Sequence, residues 1–406
     1  LGSTDASVSA QEEFVSAAQS VLIVVALLES ATFGALLFAL FKHLRLLADF
    51  ARVPAGPTPG STCLLIRPCA GEEPHLLECL LSVVEAKCDV RLRIFIGVDH
   101  AEDPALKTAK TAQAELVKKG FDVTIVQAPI LGPNRKASIV AECIRLAGRD
   151  FEAVIVADSN VDLGGFDLNR MLALLLKDAG TGAVWAPFRE EASPSAFGNI
   201  ASKAVLHFSW HSFGLLSRMD PGGMVGKLFA VRKEALHTVD DFRSLVRFLG
   251  EDMELCRALG DAGYIVRSVP MTVRSPCGPK SWKDTVDRQV RWMMVIKAQR
   301  PALLISYPML FFNALVMVAS SAACAPFSPL LSGIVLYAAV LLRIGVGYTA
   351  ARMLSLRPKA SDLLFGILIA DVLLVIAFIK ALGTRRFNWR GRWLTISGGG
   401  ELKDVG

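Results

Sequence analysis

The sequence has no Cys-x-x-C pair among its eight cysteines (Cys63, Cys69, Cys79, Cys88, Cys143, Cys256, Cys277 and Cys324), and no Cys/His cluster has zinc-ligand spacing. That excludes a zinc module and leaves the cysteines as buried, reduced thiols. No RNA- or DNA-binding motif occurs. The formal net charge is only +6, and much of the basic surplus flanks apolar segments or lies in the tail, so it suits anionic headgroups rather than nucleic acid. Internal repeats and low-complexity tracts are absent, which excludes a repeat architecture. Also missing is a basic stretch ahead of the first apolar run, where the residues are polar and acidic. A cleaved signal peptide opens on basic residues and has a shorter apolar core. The run AAQSVLIVVALLESATFGALLFALF (17–41), with Glu29 as its one charge, therefore reads as a membrane-spanning helix, being longer than the ~20 residues a span needs.

What is abundant is apolar content: 52% of 406 residues, with a mean hydropathy of +0.44, too apolar for a wholly soluble chain. The excess collects in 17–41 and again in 301–383. The chain divides into a polar N-terminal segment (1–16), a transmembrane helix (17–41), a basic linker (42–60), a soluble domain (61–300), a C-terminal membrane region (301–383) and a basic tail (384–406). Lys42, His43, Arg45 and Arg52 follow the first span, so the positive-inside rule puts the soluble domain in the cytoplasm.

Within that domain, β-branched runs alternate with amphipathic helical patterns. Strands are expected over 62–67, 91–98, 122–128, 152–157 and 182–187, and helices over 74–86, 103–119, 137–147 and 167–179. Near-continuous apolar strands separated by helices predict an α/β fold, Rossmann-like, with a mainly parallel sheet covered on both faces. Ligands of such sheets bind beyond the carboxyl ends of the strands. Asp99 follows one strand there, and Asp158-Ser159-Asn160 follows another.

The oxygens of Asp158 and Asn160 have a spacing that can hold a divalent cation against a diphosphate, although the tripeptide is also a good turn or helix start. Glu251-Asp252 opens a helical stretch where the helix dipole alone would favour acids. A carboxylate held there could equally be the general base, and Asp252 is assigned that role. Arg288, Arg291 and Trp292 are spaced i, i+3, i+4, which places them on one helical face, with guanidinium groups for phosphate and an indole for a sugar or the membrane interface.

As an ordered set these residues resemble the ceramide glucosyltransferases, a family of GT-A nucleotide-sugar transferases. Asp99, Asp158, Asp252 and Arg288/Arg291/Trp292 match its three aspartates and its (R/Q)-x-x-R-W ending. RPCAGEEPHL, VDHAEDPA, GPNRKAS and the tail FNWRGRWLTISGGGELKDV are similar to further family segments, so the resemblance covers about 62–300 and the C-terminus. GPNRK with DSN is closest to bacterial members, which implies a bacterial inner membrane. The resemblance implies inverting transfer from UDP-glucose to the primary hydroxyl of ceramide. It implies Mg²⁺ or Mn²⁺ at Asp158, Asp99 by the uridine, and Lys136 near the nucleotide or diphosphate. His211, in FSWHSFGLL beside Trp210, corresponds in kind to an acceptor-region histidine, but its gap to Gly226 departs from the family pattern. An ordinary histidine on a mixed helix remains an alternative. UDP-glucuronate or UDP-galactose as donor, and a hopanoid or diacylglycerol as acceptor, also remain open, as do a polysaccharide synthase and a non-catalytic membrane scaffold.

Three apolar segments follow the soluble domain, 303–323, 330–350 and 363–382, each long enough to span. Three crossings would put the tail outside, yet Arg385, Arg386, Arg390 and Arg392 argue for inside. One segment is therefore expected not to cross: the last, which holds Asp371 and Lys380, or else the middle one, which holds Arg343.

Overall fold

A computed structural model of the chain describes residues 2–53, 56, 60–191, 196–219, 223–353, 356–389 and 392–404, without the side chains of 2–15, 18, 210–219, 353, 360–361, 389, 392 and 404. The first helix, α1 (Gly2–Ala51), is longer than the expected span at both ends and takes in most of the polar segment and the start of the linker. Lys42 over Phe38 and Arg45 over Phe41 make i, i+4 cation–π contacts, at 5.0 and 4.6 Å, where the helix leaves its apolar stretch.

The soluble domain follows in the order β1 (Thr62–Cys69), α2 (Leu76–Leu81), β2 (Arg91–Val98), α3 (Ala105–Lys118), β3 (Asp122–Gln127), α4 (Arg135–Ala147), β4 (Ala153–Ala157), α5 (Leu168–Lys177), β5 (Thr181–Ala186), β6 (Phe188–Glu191) and α6 (Phe197–Met219). It continues with β7 (Leu228–Arg232), α7 (Glu251–Asp261), β8 (Ile265–Ser268), β9 (Val273–Pro276) and α8 (Trp282–Gln299). Seven strands form one sheet in the order β3-β2-β1-β4-β7-β5-β8. All its pairings are parallel except those of β7, which runs antiparallel between β4 and β5. Every residue of β4 and β5 is buried, so neither run alternates; each buried Val or Ile there contributes roughly 1.5–3 kcal/mol. Strands β6 and β9 form a separate parallel pair.

The C-terminal region comprises α9 (Leu303–Leu310), α10 (Asn313–Cys324), α11 (Pro329–Met353) and α12 (Ala360–Gly383), then β10 (Arg386–Trp389), β11 (Arg392–Ile396) and β12 (Leu402–Asp404). Helices α1, α11 and α12 are each long and apolar enough to cross a membrane. The irregular segment is neither of the two expected. It is the first, where α9 and α10 meet at a bend of 68°. Asp371 and Arg343 do not break their own helices because they face each other at 3.8 Å, both fully buried. They also serve the neighbouring backbone. Arg343 donates to the carbonyls of Phe208 and Phe311 at 3.2 and 3.3 Å, and Asp371 accepts from Leu315 N at 3.1 Å. Phe311 lies at the bend, where a helix interruption frees backbone groups that apolar surroundings cannot satisfy.

The tail is a three-stranded antiparallel sheet, β10-β11-β12. It packs on the soluble domain through a bridge between Glu401 and Phe248 and an Arg247–Glu401 ion pair at 3.4 Å. Lys297 of α8 closes the end of α12 by donating to the carbonyls of Ala381 and Leu382 at 2.6 and 3.1 Å.

Candidate active site

The segment Gly132-Pro133-Asn134-Arg135-Lys136 ties three parts of the site together. Gly132 has no space for a side chain, since a Cβ would lie 2.8 Å from the Val246 carbonyl. Asn134 caps α4 by accepting from Ala137 N at 3.0 Å, and its amide donates to Phe248 O at 2.8 Å and to Glu251 Oε2 at 3.0 Å. The Arg135 guanidinium grips the Asp99 carboxylate. Lys136 Nζ lies 2.8 Å from Asp158 Oδ1 and 3.0 Å from Glu251 Oε1, and donates to Gly226 O at 2.7 Å. Burial opposes the charge on Lys136, but Asp158 and then Glu251 outweigh it and raise its pKa, so the ammonium is permanent.

Asp158 stands at the carboxyl end of β4. Arg67, buried on β1, donates from Nη2 to the carbonyls of Asp158, Ser159 and Val161 at 3.2, 3.3 and 2.7 Å and so fixes this turn. Burial would raise the Asp158 pKa, but Lys136 and Lys227 reverse that and hold it below the usual carboxylate value. Lys227 Nζ is 3.5 Å from Asp158 Oδ2 and donates to Asn160 Oδ1 at 2.5 Å. The two oxygens thus converge on a single cationic atom, so one carboxylate and one amide oxygen suit a hard divalent cation completed by phosphate oxygens and water. A second cluster, Asp99, His100 and Asp103, brings its ligand atoms within 4.8 Å of one another. One oxygen of each aspartate there is already partnered: Asp99 Oδ1 by Arg135, and Asp103 Oδ1 by the N–H groups of Gly71 and Ala105 at 2.7 and 2.8 Å.

Asp252 is the second residue of α7. Its Oδ2 accepts from Gly226 N and its Oδ1 from Met253 N, both at 2.8 Å. A Cβ on Gly226 would lie 2.9 Å from Oδ2, so only glycine lets the backbone approach this carboxylate. Burial first, and then the charge of Glu251, push the Asp252 pKa up to about 7. A carboxylate so placed can accept a proton near neutral pH.

The i, i+3, i+4 set on α8 divides. Arg291 and Trp292 line the cavity, whereas Arg288 turns away into a pocket of its own. There it binds the Glu190 carboxylate, donates to Ser202 Oγ at 2.5 Å and lies 5.1 Å from the centre of the Trp292 ring. Glu190, with Lys280 also 2.6 Å away, has its pKa lowered to about 2, because Arg288 and Lys280 outweigh its burial. Arg288 is therefore a positioning residue behind Trp292, not a group facing the donor. A 100° step per residue leaves i and i+3 some 60° apart, enough to place them on opposite sides of a cavity rim.

A single cavity of about 850 Å³ joins these groups. Asp99, Lys136, Asp158, Asn160 and Asp252 line its polar end, and Val205, Leu206, Leu303, Tyr307, Phe311 and Leu374, from the helices that pack in the membrane region, line the other. The family described as Glycosyl transferase family 21 matches residues 24–402, nearly the whole chain, the membrane helices and tail sheet included. The chain belongs to this family. It is a glycosyltransferase of α/β fold, GT-A-like, with membrane-type helices near both ends. Among solved structures, the chain is similar to a mannosyltransferase from Pyrobaculum calidifontis in complex with GDP-Man and Mn²⁺, at 18% identity and a TM-score of 0.48, covering 89% of this chain and 99% of that one. It is also similar to glucosyl-3-phosphoglycerate synthase from Mycobacterium tuberculosis, at 15% identity and a TM-score of 0.31, covering 55% and 72%. No curated protein sequence matches.

Of the residues expected from sequence in this glycosyltransferase, Asp99, Lys136, Asp158, Asn160, Asp252, Arg291 and Trp292 share the cavity, and Arg288 stands behind it. The side chains of Trp210 and His211 lie outside the described residues. Sequence reasoning missed Lys227 and Arg135, which pair with Asp158 and Asp99, Glu251, which pairs with Lys136 beside Asp252, and also Arg67 and Glu190. Glu251, Arg135 and Arg67 stood inside quoted motifs. Lys227 carried no local signal, because the antiparallel strand that places it was not anticipated.

Proposed function

We propose that this glycosyltransferase moves glucose from UDP-glucose to the primary hydroxyl of ceramide, with inversion, on the cytoplasmic side of a bacterial inner membrane. The observation that supports this reading is the continuity of the cavity, which joins a charged end suited to a nucleotide diphosphate to an apolar end suited to lipid chains. The lipid hydroxyl arrives from the apolar end and gives its proton to Asp252. The deprotonated oxygen then attacks the anomeric carbon in line, the bond to UDP breaks, and the electron pair leaves with the diphosphate. Lys136 and Arg291 face the charge that develops there, Asp99 with Arg135 stands by the uridine, and Trp292 offers a face to the sugar. A divalent cation, Mg²⁺ or Mn²⁺, held by Asp158 and Asn160 would neutralise the diphosphate.

The basic flanks support the cytoplasmic placement, and parity of the crossings is consistent with it. The tail sheet packs on the soluble domain and Lys297 caps the end of α12, so 300 and 384 lie on one side and the chain between them crosses an even number of times. With α11 and α12 crossing, the bent pair α9/α10 enters and leaves on the side of the soluble domain. The basic residues after the first span and those of the tail then agree.

Release of UDP, followed with UDP-glucose, UDP-galactose or UDP-glucuronate and with ceramide, diacylglycerol, a hopanoid or no acceptor, tests the proposal. Ceramide-stimulated release from UDP-glucose is expected. Stimulation by another acceptor alone replaces ceramide in the reading.

A further inference from the structure

Lys227 stands where the two oxygens of the cation-type pair converge, bonded to Asn160 and 3.5 Å from Asp158. Strand β7 puts it there. Running antiparallel beside β4, it pairs Leu228 with Ala157, so the residue just before β7 meets the residue just after β4, and Asp158 N donates to Lys227 O at 2.9 Å. An ammonium hydrogen-bonded to these oxygens and a divalent ion chelated by them exclude one another. Asp158 and Glu251 are already engaged by Lys136 and Lys227, with Glu73 and Asp252 also on the cavity wall. A divalent ion arriving alone would bring two more positive charges beside two ammonium groups. A nucleotide diphosphate carries the negative charges that offset them.

We infer that Lys227 is a resident cation of the donor site, which yields Asp158 and Asn160 to a divalent ion only when the nucleotide diphosphate arrives and then serves the diphosphate itself. This rests on the donor-site reading above. The lysine stem is flexible and its ammonium has three donors, so the shift from Asp158 and Asn160 to a phosphate oxygen is a side-chain movement. The metal and the nucleotide consequently bind as a pair, each tightening the other by the same factor. When UDP leaves, Lys227 returns to Asp158 and Asn160 and the ion loses its protein ligands.

The test is direct Mn²⁺ binding to the full chain in detergent, read from the electron paramagnetic resonance signal of the free ion, with and without UDP and with no sugar transferred. Wild type is expected to bind Mn²⁺ about tenfold or more tightly when UDP is present. Lys227→Met and Lys227→Gln are expected to bind Mn²⁺ without UDP about tenfold tighter than wild type, and to lose most of that coupling. Equal Mn²⁺ affinity of wild type with and without UDP overturns the inference and needs no variant. So does wild-type Mn²⁺ affinity in both variants while they still bind UDP. Asp158→Asn separates the two levels. Retained Mn²⁺ binding in that variant places the ion elsewhere and removes the donor-site reading itself, whereas lost binding with no Lys227 effect removes only this inference.

Discussion

At the carboxyl ends of the strands, Asp158, Glu251, Lys136 and Lys227 are drawn together on the wall of a cavity, whereas Arg343 and Asp371 meet between α11 and α12 and neither lines it. Both groups balance charge, but they spend their hydrogen bonds differently. The membrane pair points its polar atoms at backbone groups beside the α9/α10 bend, and so holds a shape. The donor group pairs its oxygens and ammoniums chiefly with one another on the cavity wall, with Asp252 beside it at a pKa of about 7. Buried charge closed on the backbone is scaffold; buried charge left on a cavity wall is available for chemistry.

The largest expected effect falls on the donor side. Asp252→Asn keeps the shape and loses the base, so transfer should fall by about 10²–10⁴-fold while UDP affinity is preserved. Turnover that survives within a few-fold of wild type would take the role of base from Asp252. On the membrane side the matching change is structural. Arg343→Met strands the Asp371 carboxylate and is expected to cost about 3–5 kcal/mol, seen as a lowered Tm in detergent. Arg343→Met combined with Asp371→Leu should recover most of that loss, because two apolar side chains leave no buried charge. A double variant no more stable than the single one would show that the pair does not act as a unit.

The same contrast explains what could be read from the sequence. The parallel strands and the acids after them were legible because β4 is a continuous apolar run and β2 ends in one, IFIGV, and each is followed directly by its aspartate, Asp158 and Asp99. Strand β7 was not, since LFAVR is short and its place between β4 and β5 is decided by long-range pairing. Arg343 and Asp371 were visible as anomalies in apolar runs but were taken as marks of irregularity, whereas each supplies the other's partner from a different helix. The bend itself falls at Phe311-Phe312, close after Pro308, a proline signal inside a segment otherwise long enough to span. Arg288 and Arg291 were given one role because helical spacing puts them on one side; Glu190, from a short strand nearly a hundred residues earlier, separates them.

Behind the donor site stands Glu190, which does not line the cavity, and Glu190→Gln weakens the grip on Arg288 without touching the cavity wall. The expected result is a loss of about tenfold in kcat/KM for the donor, since a lost charge-assisted hydrogen bond is worth roughly 1.5–3 kcal/mol and the effect reaches the sugar only through Trp292. A loss carried by KM, with kcat held, would mark Arg288 as holding Trp292 for donor binding. An unchanged enzyme would leave the pair without a positioning role.

The smallest expected effect is the response to pH, and its sign follows from Asp252. Its pKa in the folded protein, about 7, lies above the ordinary value of 3.8, so the folded state holds this proton more tightly than the unfolded chain does. The stabilisation from that proton is complete below about pH 4 and is lost as pH rises through about 7. Activity runs the other way, because the base acts only when deprotonated, so the transfer rate should climb about tenfold per unit below pH 7 and level off above it. Asp252→Asn carries no such proton, and its Tm should lack the decline that wild type shows between pH 5 and 8. A wild-type Tm as flat as that of the variant, alongside a rate that still rises through pH 7, would assign the titration to the reaction's other partner instead of this carboxylate.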